Sequence, residues 1–383
     1  MARKKSLGSN PLGAKGGDHV LREVLQGRRA RPSREERPRL TALVLSGRGG
    51  EAAFEVGVLS GLAKADAFDA DVVTGVSLGA LNAAVIAAQD GRLAKAAARL
   101  EAIWIEQLAG DAWTGRNGLY RSRGDPRSFL DPRKLPGAIA DMLEDSSYWL
   151  KDAWERGARM ARSSDDLAVR MLWLADVSSM LSLEPLAELV EKQVDLGAVR
   201  GSKRRMRVAT AEWVSGRVEI SDGAALQGKA GYDLLVAAAA RPGIFPSVEI
   251  HGRPQVDAAP FLASELGPAL EAGATELHVP VFAASRAPDD RPTSTVDALD
   301  RALAELQLAR LERELLSLRA SGEPAPAVHL YRGRLGPARS HGFLDVGRDR
   351  IRRLLEHGRQ TFASHDCSAA GCLADGARAR REG

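Results

Sequence analysis

One stretch limits what this chain can fold into more than any other: Asp71-Val72-Val73-Thr74-Gly75-Val76-Ser77-Leu78-Gly79-Ala80-Leu81-Asn82. It reads as a short apolar strand, a Gly-x-Ser-x-Gly turn and a helix of small residues running to about Ala88, the context in which such a turn can project its serine. A serine hydroxyl is a weak nucleophile unless the backbone aims it at a base and at donors for a developing oxyanion, and so sharp a turn needs small neighbours. Gly75 and Gly79 supply them. Ser77 also stands at a helix N-terminus, where N–H groups without intrahelical acceptors can face negative charge. The competing reading is a plain strand-to-helix turn, because a chain with 38 glycines produces five-residue matches by chance. The apolar strand before the turn and the helix after it favour the nucleophilic serine.

The rest of the chain alternates strands with helices. Residues 40–45 form the first strand, Ser46-Gly47-Arg48-Gly49-Gly50 a glycine-rich turn, and residues 52–62 a helix that crosses to Val72-Val73, giving a βαβ unit whose second strand delivers Ser77. Helical spacing continues over 93–108. Residues 111–205 are an irregular insertion with helical pieces near 148–162, 165–180 and 185–194. Five of the six tryptophans lie between Trp104 and Trp173; packing inside a helical cap accounts for them most simply, and a lipid-facing lid is the alternative. Sheet character returns at 206–211, with hairpin turns at Ser215-Gly216-Arg217 and His251-Gly252-Arg253, and the far strand of the second hairpin ends at Asp257. Between them an apolar helix over 232–240 is stopped by Arg241-Pro242-Gly243. A short helix at 268–271, a strand at 275–282, a leucine-rich amphipathic helix over 297–319, a strand at 328–331 and a helix over 348–359 complete the pattern. This predicts an α/β fold with a mostly parallel central sheet over 40–360, a basic leader over 1–39 and a lightly structured tail over 361–383.

Charge and cysteine content exclude several classes. The leader carries 11 Lys/Arg against 4 Asp/Glu, leaving 43 against 46 in the remainder, so the net +4 is created by the leader. A solvated tail explains it, and a basic arm that touches anionic lipid is the sharper alternative. No nucleic-acid motif accompanies it, so no nucleic-acid partner is expected. The basic start is not followed by an apolar signal core and no run is long enough to span a membrane, which predicts a cytoplasmic protein, at most peripheral at the inner face of a membrane. Cys367 and Cys372 are the only cysteines; they read as ordinary reduced thiols or an incidental close pair, too few to indicate a metal site or a disulfide scaffold. Neither metal nor organic cofactor is expected. Gly47-Arg48-Gly49-Gly50 lacks both the dinucleotide fingerprint and the lysine-serine/threonine end of a phosphate loop.

Four landmarks, taken in order, resemble the bacterial patatin-like phospholipases: the loop Ser46-Gly47-Arg48-Gly49-Gly50-Glu51-Ala52-Ala53-Phe54, the turn Gly75-Val76-Ser77-Leu78-Gly79, the stretch Ala238-Ala239-Ala240-Arg241-Pro242-Gly243-Ile244-Phe245-Pro246, and Val256-Asp257-Ala258-Ala259-Pro260. The resemblance runs from about residue 40 to 359. It implies a three-layer patatin-like sandwich, an acyl hydrolase with Ser77 as nucleophile and Asp257 as its base, and oxyanion donors among the backbone N–H groups of the Gly47, Arg48, Gly49, Gly50 loop. It also implies a phospholipid or related acyl ester as substrate. Two features depart from the family pattern. Its usual Gly-Gly-Gly-x-Arg/Lys-Gly becomes Gly47-Arg48-Gly49-Gly50-Glu51-Ala52, with a carboxylate at the basic position, and Asp-Gly-Gly/Ala becomes Asp257-Ala258-Ala259. If the loop still serves an oxyanion, Glu51 should face away from it and Arg48 should point outward or toward a head group. Two other readings compete: a catalytically impaired lipid-binding or interaction protein on the same scaffold, and a Ser-Asp-His triad esterase using His251, His278 or His329. His278 sits in a strand pattern, where a satisfied sheet histidine is the simpler reading.

Overall fold

The computed structural model describes residues 39–65, 68–89, 91–110, 117–124, 135–162, 177–282, 292, 294–321, 325–334 and 344–373. The leader as far as residue 38, residues 165–176 of the helical piece expected over 165–180, Trp113 and Trp173 lie outside them. The chain begins with β1 (Thr41–Leu45), a 3-10 turn (Gly49–Glu51) and α1 (Ala52–Leu62), then β2 (Val72–Gly75), α2 (Gly79–Ala88) and α3 (Leu93–Ala102), which runs into a π-helical turn (Ile103–Leu108). The insertion follows as β3 (Arg121–Ser122), α4 (Leu135–Arg162), β4 (Leu181–Ser182), α5 (Glu184–Gln193) and α6 (Leu196–Gly201). The second half holds β5 (Arg205–Glu212), β6 (Val218–Asp222), α7 (Gly228–Ala239), β7 (Val248–Ile250), β8 (Arg253–Asp257), α8 (Gly267–Glu271), β9 (Glu276–Phe282), α9 (Thr295–Ala320), β10 (Ala327–Gly333), α10 (Arg348–Ala363) and α11 (Cys367–Ala370).

The main sheet runs β10-β9-β1-β2-β5-β8-β7, with β6 on β5. Its four pairings from β10 to β5 are parallel; β5 pairs antiparallel with β6 and β8, and β8 with β7. The parallel strands are apolar on both faces because helices cover both. Leu43, Leu45 and Val73 point into one core with α1, α2, α3 and α10, while Ala42, Val44 and Val72 point into a second with α8, α9 and the C-terminal segment. The result is three layers. Every residue of α1 is buried, which requires a close neighbour on its outer side. α10 supplies it: a Cβ at Gly57 would overlap the Leu355 carbonyl, and one at Gly358 the Phe54 carbonyl.

The strand registers explain what the sheet does for the site. β2 pairs with β5 up to Gly75 opposite Val208, and β8 pairs with β5 from Gln255 opposite Glu212 down to Asp257 opposite Thr210. β6 overlaps both stretches of β5 and so occupies the other edge. β2 and β8 therefore share one edge of β5 and approach head-on, each ending at the gap between them. Ser77 leaves one of those ends and Asp257 closes the other.

Several elements differ from the sequence reading. The helix expected near 148–162 begins at Leu135, and the one expected over 93–108 changes to π-helical pitch at Ile103. The insertion also holds the two-stranded β3–β4 ribbon, Arg121 opposite Ser182. Two-residue strands are too short to show a period-2 pattern. Where a lightly structured tail was expected from 361, α10 continues to Ala363 and the chain stays packed to Leu373, whose N–H donates to the Val328 carbonyl at 2.9 Å.

Candidate active site

Ser77 has φ 54°, one of two non-glycine residues in the left-handed region among those described. A side chain there is strained, and such strain persists only where the surroundings over-determine it. Val76 N–H donates to Leu45 O at 2.9 Å and Ala80 N–H to Ser77 O at 3.0 Å, closing the turn from both sides. A Cβ at Gly75 would stand 2.5 Å from the Ala80 Cα, and one at Gly79 would overlap the Leu45 carbonyl. Both glycines are thus required by close backbone approach. Ser77 itself is 3% exposed.

The glycine loop is tied directly to this turn. Gly79 N–H donates to Gly47 O at 3.3 Å, and Gly49 takes a φ of 46° that suits glycine. Arg48 caps the 3-10 turn Gly49–Glu51, so the N–H groups of this loop open a helical segment and have no intrahelical acceptor. Behind the loop lies a buried polar chain. Trp104 Nε1–H donates to Asn82 Oδ1 at 2.9 Å, Asn82 Nδ2 donates to Glu55 Oε2 at 3.0 Å, and Gly47 N–H donates to Glu55 Oε1 at 2.6 Å. Burial pushes the Glu55 carboxyl up to about 8, against the opposing hydrogen bonds from Asn82, Gly47 and Ser46.

Arg48 does not point outward as the sequence suggested. It is buried, with Nη2 2.5 Å from Glu51 Oε2 and Nη1 3.5 Å from Asp300 Oδ1 on α9. Glu51, whose other oxygen lies 3.8 Å from Arg350 Nη2, is held in this ion-pair group. Two of the loop's three departures therefore answer one another: a buried guanidinium needs a carboxylate partner, and the carboxylate at the family's basic position provides it.

Asp257 is fully buried at the end of β8. Its N–H donates to Ala240 O at 2.9 Å, and its Oδ1 accepts the Ala259 N–H at 2.9 Å. Oδ2 has no partner of normal hydrogen-bond geometry among the described residues. Burial raises the carboxyl above the ordinary aspartate range, opposed by Arg241, the Ala259 N–H, the Ser77 hydroxyl and Arg48 in falling order. The Arg241 guanidinium is buried too; desolvation and then the like charge of Arg48 hold it below its ordinary value, while Asp257, Asp300 and Glu51 act the other way.

The structure thus brings all four landmarks together. It adds residues to which the sequence reading gave no site role: Arg241, there only a helix stop within the third landmark, and Asp300, Gln307 and Arg310. From α9, Gln307 Nε2 donates to Ser46 O at 3.2 Å, and Arg310 donates to the carbonyls of Ala259, Pro260 and Leu262 at 2.9, 2.7 and 3.0 Å. One helix therefore holds both the glycine loop and the loop after Asp257. Positions 300, 307, 310 and 314 share a helical face, so a polar stripe in a leucine-rich helix was the available signal. The histidines are elsewhere engaged. His278 Nδ1 lies 2.8 Å from the Tyr331 hydroxyl and Nε2 3.5 Å from Glu276, at the register of Leu43; His251 occupies the exposed turn between β7 and β8. A small cavity of about 50 Å³ lies behind the glycine loop, lined by Gly47, Arg48, Glu55, Glu265, Gln307 and neighbours, but not by Ser77 or Asp257.

With this geometry in place, comparison with known proteins gives the family. No curated protein sequence matches the chain. Among solved structures, VipD from Legionella pneumophila is 14% identical with a TM-score of 0.37, the match covering 86% of this chain and 67% of that one. The type III effector protein ExoU is 15% identical with a TM-score of 0.30, and the match covers 86% of this chain and 53% of ExoU, about half its length. The family model described as patatin-like phospholipase matches residues 43–266, more than half of the chain. That span takes in the glycine loop, Ser77, Arg241 and Asp257 together, and the chain belongs to the patatin-like phospholipase family.

Proposed function

We propose that the chain hydrolyses acyl esters of phospholipids or related lipids through a Ser77–Asp257 dyad. Ser77 Oγ attacks the ester carbonyl while Asp257 Oδ2 takes its proton; the tetrahedral oxyanion collapses, and the alcohol leaves with the proton returned by Asp257. Water then attacks the acyl-Ser77 ester with Asp257 again as base; the acyl–oxygen bond breaks, Asp257 passes the proton to Ser77 Oγ and the fatty acid is released. The N–H groups of Arg48 and Gly49, at the start of a helical turn beside Ser77, are the oxyanion donors of this reading.

The observation that carries it is the pairing of a strained, buried Ser77 with a buried carboxylate whose proton affinity is raised. An aspartate at its ordinary pKa is too weak a base for a serine, and desolvation corrects this. A triad is disfavoured, because His278 is occupied by Tyr331 and Glu276 while the groups acting on Asp257 are Arg241, Ala259, Ser77 and Arg48. Ser77 at 3% exposure describes a closed form, so the substrate must open a path. The exposed apolar stripe on α4, with Leu143, Leu150 and Trp154 at 63%, 79% and 80% exposure, supports opening at a lipid surface; that this surface is an anionic, cytoplasm-facing membrane is the part of the proposal that the basic leader supports. Fatty-acid release from mixed phospholipid micelles is the test. The wild type should turn over and Ser77→Ala should not, Asp257→Asn should fall at least about a hundredfold, and His278→Ala should keep its rate. Loss with His278→Ala equal to that of Ser77→Ala would favour the triad, and an inactive wild type would favour the lipid-binding scaffold.

A further inference from the structure

We propose that His329, His365, Cys367 and Cys372 form a tetrahedral zinc site that fastens the C-terminal segment to β10. Two cysteines alone would be too few, but the fold adds two histidines, one of them 36 positions upstream of the other. The four ligand atoms lie within 4.8 Å of one another. Cys367 Sγ is 3.4 Å from His329 Nδ1 and 3.5 Å from His365 Nε2, and Cys372 Sγ is 3.6 Å from His365 Nε2. Metal–sulfur bonds of about 2.3 Å and metal–nitrogen bonds of about 2.0–2.1 Å at tetrahedral angles put sulfur and nitrogen about 3.5–3.6 Å apart. The spacing is that of a ligand shell.

Groups around the cluster are arranged for the same role. His329 would ligate through Nδ1, and its Nε2 lies 3.4 Å from Glu276 Oε1, the carboxylate–histidine arrangement that orients a metal-bound imidazole. Leu330 N–H donates to Cys372 Sγ at 3.1 Å, a contact that favours a thiolate. Cys367 and Cys372 are thiols and not a disulfide. Cys372 is buried and Cys367 half-buried, so an ion can enter. Binding Zn²⁺ to two thiols and two neutral imidazoles releases two protons to solvent and leaves a neutral centre, which suits a largely dry site. Two soft sulfur and two imidazole ligands in a closed tetrahedron select zinc over calcium or magnesium and leave no open position for catalysis.

The role is therefore structural. The ion would tie β10 to the segment that already contacts it, where Arg332 Nε donates to Ala370 O at 3.0 Å, and Arg319 Nη2 of α9 donates to Gly371 O at 2.7 Å on the same segment. β10 is the outer strand, separated from β2 by β9 and β1, so the site is independent of the acyl-hydrolase reading. The test uses the full-length chain without a metal-affinity tag. Purified protein should carry about one zinc per chain by elemental mass spectrometry, and the metal-free protein titrated with cobalt(II) should develop thiolate charge-transfer absorption and intense tetrahedral bands. Cys367→Ser, at the more accessible ligand, should lose the charge-transfer contribution of that sulfur and bind zinc roughly a hundredfold more weakly. Glu276→Gln keeps all four ligands and should weaken binding about tenfold. His357→Asn, outside the cluster, should bind as wild type. Added zinc should raise the melting temperature of metal-free wild type and not of Cys367→Ser. A folded wild type with no zinc and no thiolate–cobalt band overturns the site, as does folded Cys367→Ser that binds zinc as tightly as wild type.

Discussion

A side chain at the φ of 54° held by Ser77 costs about 1–3 kcal/mol relative to relaxed backbone, and glycine largely escapes that cost. Ser77→Gly and Ser77→Ala both remove the hydroxyl, so their difference isolates the backbone. Urea unfolding should find Ser77→Gly more stable by about 1 kcal/mol while both are inactive; equal stability would mean that the turn stores no strain. Glu55 gives a second prediction at this scale. Its carboxyl rises from an ordinary 4.5 to about 8 in the folded chain, so the folded state holds that proton more tightly than the unfolded one. The resulting stability is fully present below 4.5 and is lost as pH rises toward 8. Glu55→Gln cannot titrate, so the stability of wild type relative to Glu55→Gln should fall steadily across that window. A difference that stays constant or grows would show that Glu55 is ionised throughout.

Helix α9 connects the two loops of the site, and its contribution is testable at the element scale. Arg310 satisfies three carbonyls after Asp257 with one planar fork, and a lysine ammonium cannot reproduce that fork. Arg310→Ala should cost about 3 kcal/mol in urea unfolding and reduce ester turnover, with Arg310→Lys recovering less than half of either loss; full recovery by lysine would reduce Arg310 to a point charge. On α4, Leu143, Leu150 and Trp154 fall on one face at helical spacing. Leu150→Glu with Trp154→Glu should abolish co-sedimentation with anionic vesicles at unchanged helicity, whereas undiminished binding would remove α4 as the anchor. These elements also mark how far the sequence could be read. Regular periods and Gly/Pro punctuation made α1, α2, the β7–β8 hairpin and β9 legible, and the motif order made the approach of the Ser77 and Asp257 strand ends legible. The partners of those residues were not, because Arg241, Asp300 and Arg310 act through distances that no local period encodes. Arg48 turns inward because Glu51, three positions on, and Asp300, 252 positions away, both pair with it, and only the second lies beyond the reach of local sequence. His329 and the Cys367–Cys372 segment meet only because α10 returns the chain to β10.

For the whole molecule, the sheet places two strand ends against each other at one edge of β5, the glycine loop and α9 close over the gap, and Ser77 and Asp257 are left buried inside. A closed, dry site raises the proton affinity of Asp257 and makes the reaction depend on opening. Among the described residues no helix is long and apolar enough to cross a membrane; in the proposed reading, contact with lipid falls to exposed apolar surfaces such as α4. Covalent labelling with a fluorophosphonate, in buffer and in mixed phospholipid micelles, asks whether Ser77 is activated without requiring its natural substrate. Peptide mass spectrometry should find the adduct on Ser77, formed faster in micelles, absent from Ser77→Ala and at least tenfold slower in folded Asp257→Asn. Wild type unlabelled in micelles, or Asp257→Asn labelled at the wild-type rate, would contradict the dyad.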